Sequence, residues 1–444
     1  MNFLDQFVLP QNLEHLSLLQ YLTIIALWIS LTYLGMLVGG TGLSLYYKRK
    51  GVKESNPHYL KFAKDIIEQI TISKTAGITL GIVPILSLMM MFAQLMTQIQ
   101  VGAVTYLIFS FFIVTVAVVL VFTYRYSYSL KERFLSLKSA VDEKTGEEVN
   151  AYAGSLSNLS NTSGSWAFTF LMFGTYFFVA GVSIGMFPGE WAQSSSIFYA
   201  LLSGTIFVKW LVFLAFALAV TGAYLLFVTF AWNTKSVVGE GEYIEVVKAG
   251  ATKTVLLGSF LLPLLIAMAT IITPNTAVTP TVYIAAFAAV LLVFFVYNLV
   301  YQMIKSGNTK FAVWIFFFVL MAIGSLAISD TSATKATTKA QHYALDSVYK
   351  VQLLAELGDA AAPVVSGEDI YNGRCSACHK FDQKLVGPPY QETLPKYEGN
   401  VDKLAAFVLN PVKINPDYPA MPNQGLKPNE AKAIAEYILS KYKK

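Results

Sequence analysis

The sequence predicts an all-α fold, in which a polytopic membrane bundle of about eight spanning helices is followed by a small helical domain. Three observations support this fold class. Of the 444 residues, 55% are hydrophobic and only 13% are charged, whereas soluble globular proteins contain about 25% charged residues. The apolar residues are grouped into long stretches. The polar residues are concentrated in loops and in a C-terminal tail that contains both cysteines of the chain.

Eight apolar stretches are long enough to cross a membrane, because a helix of about 20 residues spans roughly 30 Å of hydrocarbon. We place them at about 18–47, 75–98, 101–124, 166–188, 198–232, 254–274, 280–303 and 311–329. These limits predict a transmembrane domain at 1–329, a linker at 330–365 and a separate domain at 366–444. Small residues spaced by four, at Gly35 and Gly39 and at Gly181 and Gly185, predict close packing between helices.

The charges of the loops orient the predicted spans. Lys and Arg occur in the loops after spans one, three, five and seven, whereas the loops near 99–100, 189–197 and 275–279 contain neither. Positively charged loops stay on the cytoplasmic side. We therefore expect both ends of the transmembrane domain in the periplasm, at a bacterial inner (cytoplasmic) membrane. The net charge of +5 includes no long basic run, so it does not indicate nucleic-acid binding.

The longest cytoplasmic loop, at about 125–165, is predicted to consist of two parts. Its first part, 126–141, is amphipathic and could form a helix on the membrane surface. Its second part, 154–165, is rich in Ser and Asn, which is typical of a flexible connector.

The C-terminal domain contains the segment Cys375-Ser376-Ala377-Cys378-His379. The spacing C-x-x-C-H is typical of covalent haem c attachment. Two thiols can form thioethers with the vinyl groups on one porphyrin edge, and one helical turn then brings the His379 imidazole to the iron. A disulfide or half of a zinc site is the alternative. The chain has no second Cys/His pair to complete a zinc site, and a disulfide would not account for His379.

Met421 is the candidate ligand for the opposite face of the iron. It lies in Tyr418-Pro419-Ala420-Met421-Pro422, about forty residues after the C-x-x-C-H motif. A thioether is a soft ligand, and a His/Met pair raises the potential of a haem. The alternative is that Met421 is a core methionine in a loop.

Together with these motifs, three further features make residues 366–444 resemble a class I cytochrome c. They are an N-terminal helix that begins at Gly367, the loop Leu385-Val386-Gly387-Pro388-Pro389, and a final helix from Asn429 to Tyr442.

This resemblance implies one covalent haem c, with His379 and Met421 as its axial ligands and electron transfer as its function. It also implies that the carbonyl oxygen of Pro388 accepts a hydrogen bond from the proximal imidazole, as is usual for a metal-bound histidine. Haem is attached to such proteins outside the cytoplasm, which agrees with the orientation predicted from the loops.

The arrangement of the first 80 or so positions is weakly similar to the large subunit of cytochrome bd quinol oxidases. His15 precedes span one, a Lys-rich loop follows, and a short amphipathic stretch at 58–64 leads into span two. The resemblance implies a non-covalent b-type haem at His15, with a methionine such as Met186 as a partner. The alternative for His15 is a surface or capping role. The other haem ligands and the paired glutamates of that family have no counterpart in this sequence.

Lys209 is the one charged residue that we place within a predicted span. The apolar stretch at 198–232 is longer than a bilayer requires. If 212–231 forms the crossing part, Lys209 lies at the outer interface and extends its amine to water. A functional role is the alternative, such as contact with an anionic haem propionate or a partner subunit. His58 and His342 are expected at the surface.

The predicted function is that of a membrane-anchored monohaem c-type cytochrome in a respiratory electron-transfer complex. It would pass single electrons from a quinol-linked membrane donor to a periplasmic carrier or oxidase. Its partners would be other membrane redox subunits, and the linker at 330–365 would act as a tether that keeps the haem domain near them. The alternative is a divergent bd-like quinol oxidoreductase with an additional haem in the membrane.

Overall fold

The computed structural model describes residues 11–137, 143–232, 241–356 and 366–442. These residues are helical or irregular, and no β-strand occurs among them. Nine helices of 14 or more residues precede the C-terminal domain in these ranges: α1 (Leu13–Lys53), α2 (Pro57–Ile70), α3 (Lys74–Leu95), α4 (Ala103–Leu137), α5 (Glu143–Ser183), α6 (Gly204–Trp232), α7 (Gly241–Ile271), α8 (Pro280–Ser306) and α9 (Phe311–Glu356). Two short helices, Trp191–Ser194 and Ile197–Leu202, lie between α5 and α6.

Eight of the nine helices α1 to α9, all except α2, are long and apolar enough to cross a membrane, by length and composition within the described part of the chain. The all-α fold class and the number of spans are therefore confirmed. The short amphipathic α2 begins where Asn56 and Pro57 predict a turn. The Asn56 side chain accepts a hydrogen bond of 2.9 Å from the backbone N–H of His58, which caps the helix. The His58 side chain is half-buried.

The loop predicted at 125–165 is helical in its first part, as expected, whereas the flexible connector predicted for its second part is wrong. Residues 126–137 continue α4, and the Ser/Asn-rich part lies inside α5; residues 138–142 lie outside the described residues. Packing explains the difference, because Ser160 and Ser163 are buried. Ser160 accepts a 2.7 Å hydrogen bond from Lys48, and Ser163 donates one of 2.6 Å to the Leu159 carbonyl. Such contacts override the weak helix propensity of Ser and Asn.

The chain divides into two compact units, and the membrane unit comprises residues 21–93 and 100–336. Glycines bring its helices into close contact. A Cβ on Gly39 would lie 2.5 Å from the carbonyl oxygen of Ala217, and one on Gly258 would lie 2.4 Å from the amide nitrogen of Ala219. Both distances are too short for a side chain, so α1 and α7 each pack directly against α6. The packing role predicted for Gly39 is thus confirmed.

The C-terminal unit comprises residues 1–20, 94–99 and 337–444. Within it, α9 extends without interruption to Glu356, so residues 330–356 of the predicted linker are helical. Residues 357–365, which include the rest of that linker, lie outside the described residues. His342 is buried rather than at the surface, with Nε2 3.0 Å from the Leu95 carbonyl oxygen. Asp346 is also buried and accepts a 3.0 Å hydrogen bond from the backbone N–H of Leu13.

The last part of the C-terminal unit contains the helices α10 (Gly367–Ile370), α11 (Val401–Leu409) and α12 (Pro428–Tyr442). Short helical turns at Tyr371–Cys375, Tyr390–Thr393 and Leu394–Tyr397 lie between α10 and α11. The predicted first and final helices are therefore present. A Cβ on Gly367 would lie 2.2 Å from the Ala433 carbonyl oxygen, so α10 crosses α12 at close range. Apolar side chains from all three helices form one core, which includes Ile370, Leu404 and Ile438.

Candidate haem site

The C-x-x-C-H motif follows α10 directly. A π-helical turn (Tyr371–Cys375) continues the helix, and the chain then turns tightly. The backbone N–H groups of Cys378 and His379 both donate to the carbonyl oxygen of Cys375, over 3.1 and 2.9 Å. The two thiols and the imidazole are thus presented from a single turn, as covalent attachment to one edge of a porphyrin requires.

Both cysteines lie within the described residues, and they form no disulfide with each other. Cys375 is buried in the core of the domain, whereas Cys378 is half-buried. Burial raises the pKa of the Cys375 thiol to about 11, against a smaller opposing effect of Arg374, so this thiol is neutral at neutral pH. No group of three or more His, Cys, Asp or Glu side chains that could hold a metal ion occurs in the described part of the chain.

The imidazole of His379 is oriented by the loop that contains Pro388. His379 Nδ1 lies 3.0 Å from the Pro388 carbonyl oxygen. A carbonyl oxygen only accepts hydrogen bonds, so Nδ1 carries the proton and the lone pair of the neutral ring is on Nε2. Gly387 holds the same loop in place, because its N–H donates to the Cys378 carbonyl over 2.9 Å. Nε2 is therefore the nitrogen that can bind a metal.

Two neighbours restrict the position of the imidazole. A Cβ on Gly387 would lie only 2.3 Å from Cε1 of His379, so the ring packs directly against the backbone of the loop. On another side, Tyr390 stacks on the ring with a centroid distance of 5.2 Å and an interplanar angle of 9°. Tyr390 is buried, and this burial raises the pKa of its hydroxyl well above the usual value. The ring of His379 therefore has little freedom to rotate.

Met421 lies in the irregular segment between α11 and α12 and is half-buried. The segment is linked to the residue that precedes the attachment motif, because Arg374 Nη1 donates a 2.6 Å hydrogen bond to the carbonyl oxygen of Gln424. Gln424 itself donates to the Pro422 carbonyl over 2.9 Å, and the Gly425 N–H donates to Asn423 over 2.8 Å. These bonds shape the turn that immediately follows Met421.

The residues present fit a haem c. Cys375 and Cys378 supply two unpaired thiols one turn apart. His379 supplies an imidazole whose tautomer is set by Pro388. Met421 supplies a soft thioether on a segment that Arg374, the residue before Cys375, contacts. This is a donor set typical of a c-type cytochrome.

Comparisons with known proteins agree with this geometry. Residues 362–438 match the family model described as cytochrome c oxidase, cbb3-type, subunit III. Cytochrome c-551 of Azotobacter vinelandii is 37% identical over 79 residues, which cover 17% of this chain and 96% of that protein. Cytochrome c-551 of Pseudomonas denitrificans is 35% identical over 80 residues, with the same coverage. That of Stutzerimonas stutzeri is 36% identical over 78 residues, which are 17% of this chain and 75% of the relative.

Through its C-terminal domain, the chain belongs to the cytochrome c family. The cytochrome c domain carries covalent haem c and transfers electrons, and it is joined to a region of apolar helices that anchors it in a membrane. No solved structure matches the chain. The matches above lie in the cytochrome c domain, and the resemblance of the N-terminal part to bd oxidases receives no support from them.

His15 lies at the surface, as the alternative to a haem ligand predicts, and its side chain has a polar contact. Its Nε2 lies 2.9 Å from the side-chain oxygen of Gln94, at the end of α3. This contact lies within the C-terminal unit and holds the beginning of α1 against the turn after α3. A contact between residues 79 positions apart has no signal in the sequence.

Two alternatives were open for Lys209, and the structure does not show the one in which its amine extends to water. In the membrane unit, its Nζ lies 2.8 Å from Oδ1 of Asp330, and only 11% of the Lys209 side chain is exposed. The sequence did not indicate this partner, because Asp330 lies one residue beyond the limit predicted for span eight. In the structure, the helix α9 continues through this position. Arg374 and Tyr390 were also not predicted, since neither belongs to the C-x-x-C-H or Met-Pro motifs.

Proposed function

We propose that this protein is a membrane-anchored monohaem c-type cytochrome and a subunit of a respiratory electron-transfer complex. It passes single electrons from a quinol-linked donor in the membrane to a periplasmic carrier or oxidase. The observation that carries this proposal is the His379 site, in which one turn presents Cys375, Cys378 and His379, and the Pro388 carbonyl fixes the proton of the imidazole on Nδ1. His379 and Met421 would hold the iron of a covalently attached haem, and an iron bound by both would transfer electrons without binding a substrate.

The haem supplies a one-electron change of oxidation state at its iron. The protein contributes the environment. Thioethers from Cys375 and Cys378 fix the group to the domain, and the Pro388 carbonyl fixes the His379 ring. The thioether of Met421 favours the reduced iron and raises the potential. The site is thereby suited to accept an electron from a quinol and to pass it to a stronger oxidant.

The surface around the site suits brief encounters with redox partners. Leu385 and Val386 are exposed in the loop that contains Pro388, and Val412 and Ile414 are exposed in the segment before Met421. Small apolar surfaces of this kind support weak electron-transfer contacts, which bury less area than stable interfaces. A subunit role is also supported by the matching family model, whose description names a subunit of an oxidase.

The proposed location is a bacterial inner membrane with the cytochrome c domain in the periplasm. The loop charges support this orientation, because the Lys-rich loops alternate with loops that contain neither Lys nor Arg. The even number of candidate spans is consistent with both ends of the membrane domain on one side. Haem attachment outside the cytoplasm requires the same side for the C-terminal domain.

Purification from the native membrane in mild detergent tests the proposal. We expect one c-type haem per chain in a pyridine haemochrome assay, no b- or d-type haem, and co-elution of other redox subunits in mass analysis. The Cys375→Ala, Cys378→Ala double variant is the control, and it should lack covalent haem. Absence of covalent haem from the wild-type chain would refute the proposal. A b- or d-type haem in the isolated chain, with quinol oxidation, would establish the bd-like alternative instead.

A further inference from the structure

The membrane unit contains an ion pair in an apolar cleft. Lys209 of α6 and Asp330 of α9 form this pair, with 11% and 24% of their side chains exposed. Burial of two charges costs several kcal/mol per ion, and apolar residues of similar volume would often be more stable. Ionisable groups within membrane helices therefore point to a function.

The cleft beside the pair is bounded by six of the membrane helices, α1 and α5 to α9. It contains about 850 Å³ of space not filled by protein atoms, its open mouth included. Its walls are mainly aliphatic and aromatic side chains, among them Leu27, Val179, Phe213, Ile266, Val282 and Ile323. Such a cleft suits an apolar ligand that enters from the surrounding lipid.

The polar groups of the cleft restrict the head group that it can take. The hydroxyls of Thr270, Thr273 and Ser329 in its wall donate to backbone carbonyls, over 2.8, 2.8 and 3.3 Å. Lys209 and Asp330 are the charged residues that line the cleft, and Ser183 adds one further hydroxyl, so recognition of a polar head depends mainly on this pair. Met186, which is fully buried, has its Sδ 4.0 Å from Lys209 Nζ and closes one side of the amine.

The pair has no net charge, but it offers a donor and an acceptor side by side. An ammonium group has three N–H donors, and a carboxylate has about four acceptor positions, of which their mutual contact uses one each. A phosphate head group would gain little, because Asp330 already neutralises Lys209. A neutral ring with a carbonyl and a hydroxyl fits better, since the carbonyl accepts from Lys209 and the hydroxyl donates to Asp330.

We propose that this cleft binds the head group of a membrane quinone or quinol next to Lys209 and Asp330, with its isoprenoid tail along the apolar wall. The inference concerns binding alone, and it rests on the quinol-linked donor of the proposed function. The inference places the quinol-binding site in this chain rather than in a partner subunit.

Binding can be measured on the full-length haem-loaded protein in lipid nanodiscs of neutral phospholipid. The probes are ubiquinone-1 and menadione, and the signal is the quenching of tryptophan fluorescence, because Trp210 follows Lys209 in α6. We expect saturable quenching, which the Lys209→Met and Asp330→Asn variants weaken by at least tenfold. Ala269→Leu narrows the cleft without changing the charges, and it should weaken binding to a similar extent. Lys248→Met, which alters a lysine outside the cleft, should bind like the wild type.

The inference is refuted if the Lys209→Met, Asp330→Leu double variant binds the quinones as tightly as the wild type does. It is also refuted if lipid extraction of the protein recovers only phospholipid from the site. These failures differ from a failure of the proposed function. If the cleft does not bind quinone but native membranes still reduce the haem with added quinol, the quinol site belongs to a partner. If no haem is reduced by quinol in native membranes, the proposed donor itself is wrong.

Discussion

Arg374 donates a hydrogen bond of 2.6 Å from Nη1 to the main-chain carbonyl oxygen of Gln424. The bond connects the residue before Cys375 with the turn that follows Met421. One side chain thus joins the segment that precedes the two cysteines to the segment of the predicted sixth ligand. Since the contact is exposed to solvent, its contribution is at the modest end for hydrogen bonds, about 0.5–1.5 kcal/mol.

Arg374→Ala should therefore weaken the coordination of the iron by Met421. Added imidazole competes with the methionine for the ferric iron, so the variant should bind imidazole about fivefold more tightly, which corresponds to about 1 kcal/mol. Titration of the far-red charge-transfer band of the Met–iron bond measures this change. Lys413→Ala, a change of another exposed cation in the same domain, is the control. An unchanged imidazole affinity in Arg374→Ala would show that the bond does not position Met421.

Gly387→Ala should displace the proximal imidazole, because the added Cβ would lie 2.3 Å from Cε1 of His379. Overpacking of this kind typically costs about 1–3 kcal/mol. When unfolding is followed by haem absorbance, we expect the variant to reach its unfolding midpoint at a lower denaturant concentration than the wild type. Gly154→Ala is a suitable control, since nothing lies within 4 Å of a Cβ at that helical position. The prediction fails if Gly387→Ala unfolds at the wild-type midpoint.

Substitutions of Tyr390 separate its ring from its hydroxyl. Tyr390→Ala removes a buried ring that stacks on His379, and such truncations cost roughly 3–5 kcal/mol. Tyr390→Phe retains the stacked ring, so its stability should stay within about 1 kcal/mol of the wild type. Thermal unfolding and the spectrum of the ferric haem measure both effects. A large loss in Tyr390→Phe would instead assign the stabilisation to the hydroxyl.

The Lys209–Asp330 pair should show strong coupling in a double-mutant cycle. Lys209→Met or Asp330→Leu alone leaves a buried charge without its partner, which costs roughly 3–5 kcal/mol. The double variant removes both charges and should be close to the wild type in thermal stability. Lys248 and Glu245, 4.0 Å apart with the Glu245 side chain 73% exposed, provide the comparison. Lys248→Met should cost less than about 1 kcal/mol. Additive losses at Lys209 and Asp330 would contradict a buried ion pair.

Local patterns predicted the haem ligands and the spans. The spacing of Cys375, Cys378 and His379 depends on one turn of chain, and hydropathy over about 20 residues identifies a spanning helix without further information. The family resemblance also predicted the contact between Pro388 and His379, which the structure contains at 3.0 Å. The structure does not test Met421 as the sixth ligand in the same direct way, and this assignment remains a prediction.

Contacts between distant residues were not predicted. The Ser/Asn-rich stretch at 154–165 is helical, and it packs through Ser160, which accepts a hydrogen bond from Lys48, 112 positions earlier. The charge on Lys209 is matched by Asp330, 121 positions later. His15 is exposed, and its side chain contacts Gln94, 79 positions later. Each of these pairs brings together helices that are far apart along the chain.

The sequence alone thus determined which residues can attach and ligate a haem and which stretches can cross a membrane, because both depend on spacing and composition over a few turns. Tertiary structure alone decided how the imidazole is held between Gly387 and Tyr390, and that the charge on Lys209 is paired inside an apolar cleft. The physical reason is that burial and close contact depend on which helices pack together. That choice is made by the free energy of the whole chain and has no local signature.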